Sequence, residues 1–390
     1  MSKSRARRST ARRGTSRRGG RREPQRSAPA NRYYLHTQPG FAGIAWMEAA
    51  ARLSGARHVG TREVPRQNEL LLLDYDDDPA DLLSLRTAED AFYLLERVPK
   101  LPWGYEGQDA LYNALLQTRS LEPALRALER FRGQRPRGTV RFRVVARLSG
   151  RRQPYRRVDL GRSVAKALEH GTRKRWRAVE SGEDVEVWAN VIGMDFICGL
   201  RLSDETMRHR EYKEVHLPAS LRPSVAAALV WLTEPAPDDV LLDPLCGAGT
   251  ILIERGLVSR HRLLLGGEMD EAALAAAATN IGPRHKPRQL FHWDARRLPL
   301  AEGSVNKVAT NLPFGVKIGD PRQLPGLYGD VLAEIDRVLV AKGRAVVLTG
   351  EPELVKDALR DMPRLRVERG YPVTILGRRA MVYLLSRPES

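Results

Sequence analysis

The feature that most constrains the fold is a glycine-rich segment between a short apolar run and a helical pattern. Residues 239–243 read DVLLD, which is typical of a buried strand, and residues 251–257 have the spacing of a helix. Gly247 and Gly249 lie between them, where glycine allows a ligand to approach the backbone closely. Free amides at the helix start favour a carboxylate or phosphate. The segment therefore predicts a strand, turn and helix unit that binds a cofactor.

The residues that follow extend this unit into a doubly wound α/β domain. Three more strands are predicted, over residues 263–267, 288–292 and 305–310, with an alanine-rich helix over 271–280. They lead into Glu268, Asp294 and Asn311 respectively. Ligands of open α/β sheets bind outside the carboxyl ends of the strands, so these side chains are expected to meet in one crevice.

Glu268 lies 19 residues after Gly249. An acid about 20 residues beyond the glycine loop is where such folds bind a pair of ribose hydroxyls. Taken one at a time, Asp243 is also compatible with a turn cap and Glu268 with a solvated strand end. A dinucleotide dehydrogenase is disfavoured, because its third glycine is missing and the next one, Gly256, is seven residues past Gly249.

A tetrapeptide 68 residues after Asp243, Asn311-Leu312-Pro313-Phe314, suits the methylation of an amine on a flat base. Such an amine is a poor nucleophile because its lone pair is delocalised into the ring. If the Asn311 side chain and the Leu312 carbonyl each accept one of its hydrogens, the lone pair points toward an incoming methyl group. Phe314 can stack on the base, worth about 1–3 kcal/mol, and Pro313 stiffens the turn. No strong base is needed, since the methylated ammonium loses a proton readily.

On these motifs, residues 218–390 resemble the class I, S-adenosylmethionine-dependent amino-methyltransferases, whose catalytic element is Asn-Pro-Pro-Phe/Tyr. Leu312 departs from that pattern, but it keeps the carbonyl that the chemistry uses. Asn-Leu-Pro-Phe is similar to the catalytic element of the transfer RNA guanine-N2 methyltransferases that carry a THUMP domain. Residues 218–223, PASLRP, also resemble a segment of that group. The resemblance implies S-adenosylmethionine contacts by Ser220, Asp243, Leu245, Cys246, Gly247, Gly249, Thr250, Glu268, Met269, Asp294, Ala295 and Asn311.

Over residues 31–390 the same resemblance implies an α/β organisation with α+β modules before the catalytic domain. The expected segments are a disordered tail (1–30), a ferredoxin-like domain (31–100), a THUMP domain (101–205), a linker (206–217) and a Rossmann-like methyltransferase domain with a mostly parallel sheet (218–390). THUMP domains recognise the 3′ acceptor end of transfer RNA. Phosphate contacts are predicted for Arg141, Arg143, Arg201, Arg208, Arg210 and Lys213, although a solvated basic face explains any single one as well.

The charge distribution points to a polyanionic partner. The chain has 390 residues and a net charge of +18. Residues 1–30 hold ten arginines and Lys3 against Glu23, so +10 of the charge lies there and +8 in the remainder. With no apolar run, this tail is predicted to be disordered and to attract RNA in a salt-sensitive way. A solvated tail without a role and an organelle transit peptide are the alternatives.

The remaining features exclude several classes of protein. Only Cys198 and Cys246 are present, and the histidines have no ligand spacing, so no disulfide framework and no metal site are predicted. There is no signal-peptide core and no apolar run of about 18 residues. The chain is therefore expected to be soluble and cytoplasmic; the sequence leaves the oligomeric state open, with a monomer favoured.

The leading hypothesis is a transfer RNA guanine-N2 methyltransferase acting at guanosine 6 of the acceptor stem. A paired base must leave its stack to meet the cofactor, at a cost of a few kcal/mol. Binding of the RNA by a separate module helps to offset that cost. The alternatives are a ribosomal RNA guanine-N2 or DNA adenine-N6 methyltransferase, and an RNA-binding protein with an inactive methyltransferase fold. Intact cofactor and acceptor motifs disfavour the last of these.

Overall fold

The computed structural model describes residues 31–65, 67–150, 152–173, 175–218, 220–315 and 322–389. The arginine-rich tail predicted over residues 1–30 lies outside the described residues, as does Ala219 within the 218–223 motif. Residues 31–390 form one unit.

The described residues contain nine α-helices and fifteen β-strands. The helices are α1 (Ala42–Arg52), α2 (Tyr105–Leu116), α3 (Leu121–Arg132), α4 (Arg157–Gly171), α5 (Pro223–Leu232), α6 (Thr250–Val258), α7 (Glu271–Ile281), α8 (Leu324–Val338) and α9 (Pro352–Leu359). The strands are β1 (Arg32–Thr37), β2 (Arg57–Val64), β3 (Asn68–Asp74), β4 (Asp90–Val98), β5 (Val140–Ser149), β6 (Trp176–Ala178), β7 (Val185–Ile192), β8 (Asp195–Arg201), β9 (Val240–Asp243), β10 (Leu263–Glu268), β11 (Arg288–His292), β12 (Val305–Asn311), β13 (Leu339–Thr349), β14 (Arg366–Ile375) and β15 (Arg378–Ser386). Short 3₁₀ helices cover Pro79–Ser84 and Glu205–Met207.

The first eight strands form one continuous sheet in the order β2-β3-β1-β4-β8-β7-β5-β6. The sheet crosses the boundary predicted at residue 100, because β4 pairs antiparallel with β8 from Phe92 opposite Arg201 to Val98 opposite Phe196. Strands β7 and β8 form a hairpin, with Ile192 opposite Asp195. The two segments predicted as ferredoxin-like and THUMP therefore share a sheet. We call residues 31–201 the N-terminal module.

The last seven strands form the sheet of the catalytic domain, in the order β11-β10-β9-β12-β13-β15-β14. The first five of these are parallel, and β15 and β14 are antiparallel. This arrangement confirms the predicted mostly parallel sheet with helices on both faces. The parallel strands β9 to β13 all end at one edge, which we call the carboxyl edge, and the predicted crevice lies there.

The N-terminal module packs against the catalytic domain through α1. Phe41, which directly precedes α1, and Ile44 of α1 are buried in the same apolar cluster as Val225 and Leu229 of α5. Helix α5 is apolar on nearly every side, because it lies between the sheet and α1. The burial of apolar side chains from both halves in one cluster fixes the position of the module relative to the carboxyl edge.

A buried carboxylate reinforces this contact. Glu254 of α6 is fully buried and accepts two hydrogen bonds from the Arg86 guanidinium of the N-terminal module, at 2.5 and 3.0 Å. It also accepts the hydroxyl of Tyr212 at 2.6 Å. Nearby, Glu89 accepts hydrogen bonds from Arg222 at 3.2 Å and from Ser224 at 3.0 Å, which join the module to the start of α5. Buried charges persist only when paired in this way.

Candidate active site

The glycine-rich loop follows β9 and leads directly into α6. Gly247 and Gly249 have φ angles of +49° and +76°, a region that favours glycine. The Gly249 amide donates to the Cys246 carbonyl at 2.8 Å, which closes the turn, and α6 begins at Thr250. A Cβ atom on Gly249 would lie 3.2 Å from the Cβ atom of Ala277 in α7. The two glycines are therefore required by the turn and by the close packing of α7 behind it.

Glu268 lies at the end of β10, across from this loop. One carboxylate oxygen accepts the Gly247 amide at 3.0 Å, and the other accepts the Met269 amide at 2.9 Å and the Asp270 amide at 3.4 Å. A carboxylate has about four lone-pair sites, so acceptor capacity remains for a hydroxyl group. Glu268 therefore does two things in this structure, since it holds the loop and presents an acceptor beside it.

Asp243, at the end of β9, lies beneath the same loop. It is 1% exposed, and one carboxylate oxygen accepts the Leu245 amide at 3.3 Å. Burial raises the pKa of Asp243 to about 7, because the charged form is poorly solvated there. Burial likewise raises the pKa of the Cys246 thiol well above its usual range. The Cys246 amide donates to the Gly267 carbonyl at 2.9 Å, so the backbone of Cys246 helps to hold the loop against β10.

Asp294 and Ala295 follow β11 on the same edge. The Asp294 carboxylate is held by the Arg296 guanidinium at 2.7 and 3.0 Å, and this keeps the pKa of Asp294 below its usual value. Ala295 is buried beside it. Met269, whose contact was predicted from the resemblance, is 61% exposed. The Asp294 carboxylate and the exposed Met269 side chain thus follow the ends of β11 and β10, at the same edge of the sheet as Glu268.

Ser220 precedes α5. Its amide donates to the Leu217 carbonyl at 3.1 Å. Its hydroxyl oxygen is buried and forms no hydrogen bond with the described residues. A buried hydroxyl without a partner is uncommon in folded proteins and is often satisfied by a ligand.

The Asn311–Phe314 element continues from the end of β12. The Leu312 amide donates to the Leu348 carbonyl of β13 at 2.9 Å, which fixes the direction of the backbone. The Oδ1 atom of Asn311 is buried and accepts no hydrogen bond from the described residues. The Leu312 carbonyl likewise accepts no hydrogen bond from the described residues. Two acceptors on consecutive residues therefore have no partner among the described residues, which is the arrangement that would accept both hydrogens of an exocyclic amine.

Two residues that support this element were missed by the sequence analysis. The Tyr328 hydroxyl of α8 donates to the Pro313 carbonyl at 2.9 Å and lies 2.9 Å from the Thr349 hydroxyl. Burial raises the pKa of Tyr328 to about 12, so it stays protonated as a donor. A Cβ atom on Gly350 would lie 2.6 Å from the Phe314 ring, so glycine is needed there. Neither residue lies in a motif, and no local pattern identifies it.

The basic residues predicted to bind RNA already have partners inside the protein. Four of them point inward: Arg201 bonds to Asp90 at 2.6 Å and Glu186 at 3.1 Å, Arg208 to Asp90, Arg210 to the Arg86 carbonyl at 3.1 Å, and Lys213 to the Leu221 carbonyl at 2.8 Å. Burial lowers the pKa of Lys213. This geometry favours a structural role for these four. Arg141 is exposed and pairs with Asp184 at 2.8 Å, and Arg143 is partly exposed and pairs with Glu183 at 2.7 Å and with Glu186. Phosphate contact by all six stays a prediction.

None of the helices in the described residues is long and apolar enough to cross a membrane.

Comparison with known proteins places these features in context. Residues 210–380 match the family described as "RMKL-like, methyltransferase domain". The chain is 30% identical over 287 residues to the tRNA (guanine(6)-N2)-methyltransferase of Thermus thermophilus, covering 67% of this chain and 81% of that protein. It is 31% identical over 267 residues to the tRNA (guanine(6)-N(2))-methyltransferase THUMP3 of Bos taurus, covering 64% of this chain. The match covers 52% of the bovine protein, so the chain spans about half of its length.

The fold is shared with a solved structure over most of its length. The crystal structure of TrmN from Thermus thermophilus superposes with a TM-score of 0.72 and 26% identity, covering 91% of this chain and 99% of that one. The likeness therefore includes the N-terminal module as well as the catalytic sheet.

Proposed function

Because this chain belongs to the family of tRNA (guanine(6)-N2)-methyltransferases, which use S-adenosylmethionine, we propose that it methylates the N2 amine of guanosine 6 in transfer RNA. The observation that carries the proposal is the pair of free acceptors, Asn311 Oδ1 and the Leu312 carbonyl, at the carboxyl edge beside the glycine-rich loop. The guanine N2 amine has two hydrogens to donate, and this matches the two acceptors in number.

The residues present fit S-adenosylmethionine. Gly247 and Gly249 carry no side chains, and a Cβ atom on Gly247 would meet nothing within 4 Å, so a cofactor can approach the backbone of the loop closely. Glu268 retains acceptor capacity for ribose hydroxyls, and the buried hydroxyl of Ser220, which has no hydrogen-bond partner among the described residues, could bond to the cofactor. When bound, the cofactor supplies a methyl group on a positively charged sulfur. Asp243 lies under the loop and is ionised more readily when such a positive charge is near.

The protein's own residues would orient the base and stabilise the charge that develops on its amine. Asn311 and Leu312 accept the two N2 hydrogens, which turns the nitrogen lone pair toward the sulfonium methyl group. An amine nitrogen that accepts a methyl group gains positive charge, which Asn311 Oδ1 and the Leu312 carbonyl would stabilise. The extra proton then leaves for water. The Phe314 ring packs directly against Gly350 and would present a flat apolar surface to the base.

Glu268→Ala is expected to weaken S-adenosylmethionine binding about 10- to 100-fold, since it removes charge-assisted hydrogen bonds worth roughly 1.5–3 kcal/mol. Isothermal titration calorimetry of the purified protein measures the dissociation constant. Glu271→Ala, an exposed acid in the first turn of α7, is the matched control and should leave it unchanged. Equal affinity for Glu268→Ala and wild type would contradict the ribose assignment.

The proposal is tested by the identity of the methylated nucleoside. The protein is incubated with labelled S-adenosylmethionine and unmodified transfer RNA, ribosomal RNA or duplex DNA, and each product is digested and analysed. Label in N2-methylguanosine from transfer RNA, mapped to position 6, supports the proposal. Label only in N6-methyladenine of DNA, or only in ribosomal RNA, would replace it with the corresponding alternative. Cofactor binding without transfer to any substrate would favour an inactive methyltransferase fold.

A further inference from the structure

The β14–β15 hairpin ends in a turn that its sequence does not suit. Ile375 pairs with Arg378, so the loop has two residues, Leu376 and Gly377, and both have positive φ angles, +50° and +79°. Hairpin turns of this type ordinarily have Asn or Asp before the glycine, because other side chains are strained at positive φ. Leucine at the first position is therefore unfavourable, and the turn itself does not require it.

The solvent exposure of Leu376 is also unfavourable for an apolar side chain. It is 71% exposed, the largest exposed fraction among the large hydrophobic side chains of the described residues. A single exposed leucine is ordinary on a protein surface. An exposed leucine in a strained backbone conformation is not, since folding gains nothing from the side chain to offset the strain. Such outliers concentrate at functional sites, which makes the position a candidate for contact with a ligand.

The turn projects from the carboxyl edge, on the side of the catalytic element. In the sheet register, Asn311 is level with Leu348, Leu348 with Val382, and Val382 with Tyr371. From Tyr371 the strand continues five residues past this row to Leu376, which is roughly 16 Å at 3.3 Å per residue. Residues near the end of the hairpin also join the apolar cluster that Phe314 contacts. The tip of the hairpin therefore stands above the row that carries Asn311.

The hairpin is braced by the N-terminal module. The Thr374 amide donates to the Pro39 carbonyl at 3.0 Å, in the loop between β1 and α1. A Cβ atom on Gly40 would lie 2.4 Å from the Pro372 carbonyl, so the two segments are in close contact. Arg378 and Arg379 follow the turn and are exposed. The tip thus presents an apolar side chain and two cations on a rigid support, between the module and the catalytic edge.

We propose that Leu376 enters the helical stack of the RNA when the target guanosine leaves it, with Arg378 and Arg379 on the adjacent phosphates. The inference rests on the proposed function, since a paired guanosine must be extruded before its amine reaches Asn311. Apolar side chains that insert between base steps stabilise distorted duplexes in other nucleic-acid-binding proteins. The role explains both unfavourable properties of the leucine, because the side chain is covered only when RNA is bound.

The test replaces the leucine with the residue that the turn prefers. Leu376→Asn should keep or raise the melting temperature, because asparagine is favoured at this position. It should leave S-adenosylmethionine affinity unchanged and lower kcat/KM on transfer RNA about tenfold or more, the change that corresponds to about 1.4 kcal/mol of transition-state stabilisation. Val367→Thr, at the other end of the same hairpin and 48% exposed, is the matched control and should match wild type.

A second measurement separates insertion into the stack from ordinary RNA contact. The transfer RNA is prepared with the target guanosine either paired or opposite a mismatched base. Because extrusion of a mismatched base requires less free energy, the defect of Leu376→Asn should be smaller on the mismatched substrate. Fluorescence of 2-aminopurine at the target position should rise when wild-type protein binds and rise less with the variant.

The outcomes are distinguishable. If wild type transfers no methyl group to transfer RNA, the proposed function fails and this inference falls with it. If wild type is active and Leu376→Asn is equally active, only the role of Leu376 is wrong. An equal defect on paired and mismatched substrates would also overturn insertion. So would a change in oligomeric state by light scattering without a change in kcat/KM, since it would make the tip a protein contact.

Discussion

Asn311→Ala is expected to lower kcat about 100- to 1,000-fold, the loss typical of removing one preorganised polar group that acts in the transition state. The physical reason is the free Oδ1 atom of Asn311, which is buried and has no partner among the described residues. The variant keeps the backbone that Leu312 fixes to β13, so S-adenosylmethionine affinity should change little. Single-turnover methylation with saturating transfer RNA measures the rate, and calorimetry measures the affinity.

The control for this variant is Asn113→Ala, an asparagine exposed on α2. It should methylate at the wild-type rate. A rate for Asn311→Ala within about threefold of wild type, a difference of only about 0.65 kcal/mol, would remove Asn311 from the catalytic machinery. A large loss of S-adenosylmethionine affinity instead would show that Asn311 acts in cofactor binding.

Glu254→Ala is expected to lower the free energy of unfolding by about 3–5 kcal/mol, the usual result of removing one partner from a buried ion pair. The Arg86 guanidinium would lose both of its carboxylate hydrogen bonds, and the Tyr212 hydroxyl would lose its acceptor. Chemical denaturation at 25 °C measures the change. Since these contacts join the N-terminal module to α6, methylation of transfer RNA should also fall more than S-adenosylmethionine affinity in the folded fraction.

Glu353→Ala is the matched control, because Glu353 is also a helical glutamate in an ion pair. Its carboxylate lies 2.7 Å from the Lys356 ammonium, and both side chains are largely exposed. Exposed pairs contribute about 0–1 kcal/mol, so little change is expected. Similar effects of the two substitutions would show that burial of Glu254 has no special energetic role.

Much of the catalytic half could be predicted from the sequence. The strand over residues 239–243, the helix beginning near Ile251 and the strand ending at Asn311 are all present within one residue of their predicted bounds. Each is defined by short-range patterns, namely an apolar run, helical spacing and glycines in a turn. Their convergence on one edge followed from the rule that parallel strands end together.

The predictions weakened where structure depends on contacts between distant residues. The sequence pattern over residues 76–98 does not distinguish helix from strand, and the structure has a 3₁₀ helix at Pro79–Ser84 followed by β4. Strand β4 is defined by pairing with β1 and β8, which are distant in sequence. The alternation over residues 139–148 is typical of a half-exposed strand, and the structure has β5 there, paired in parallel with β6 and β7 in the interior of the sheet. Alternation alone does not specify the partner strands.

The basic residues show the same limit more sharply. Asp90 lies more than 100 residues before both Arg201 and Arg208 along the chain, yet its buried carboxylate pairs with both guanidinium groups. A count of arginines gives the net charge and its distribution, but it does not reveal which guanidinium groups are matched by carboxylates. Only the folded arrangement turned three predicted RNA contacts, Arg201, Arg208 and Arg210, toward internal acceptors.

The sequence by itself determined the glycine loop, the acids that follow it, the acceptor element at Asn311 and the mostly parallel sheet that brings them together. These depend on residues close in the chain, whose backbone conformation and periodicity are local properties. The tertiary structure decided that Arg86 meets Glu254, that Tyr328 supports Pro313, and that Leu376 stands exposed above the carboxyl edge. The first two contacts join residues 168 and 15 positions apart in the chain, and the place of Leu376 follows from the pairing of β14 and β15, so packing and strand register decide all three.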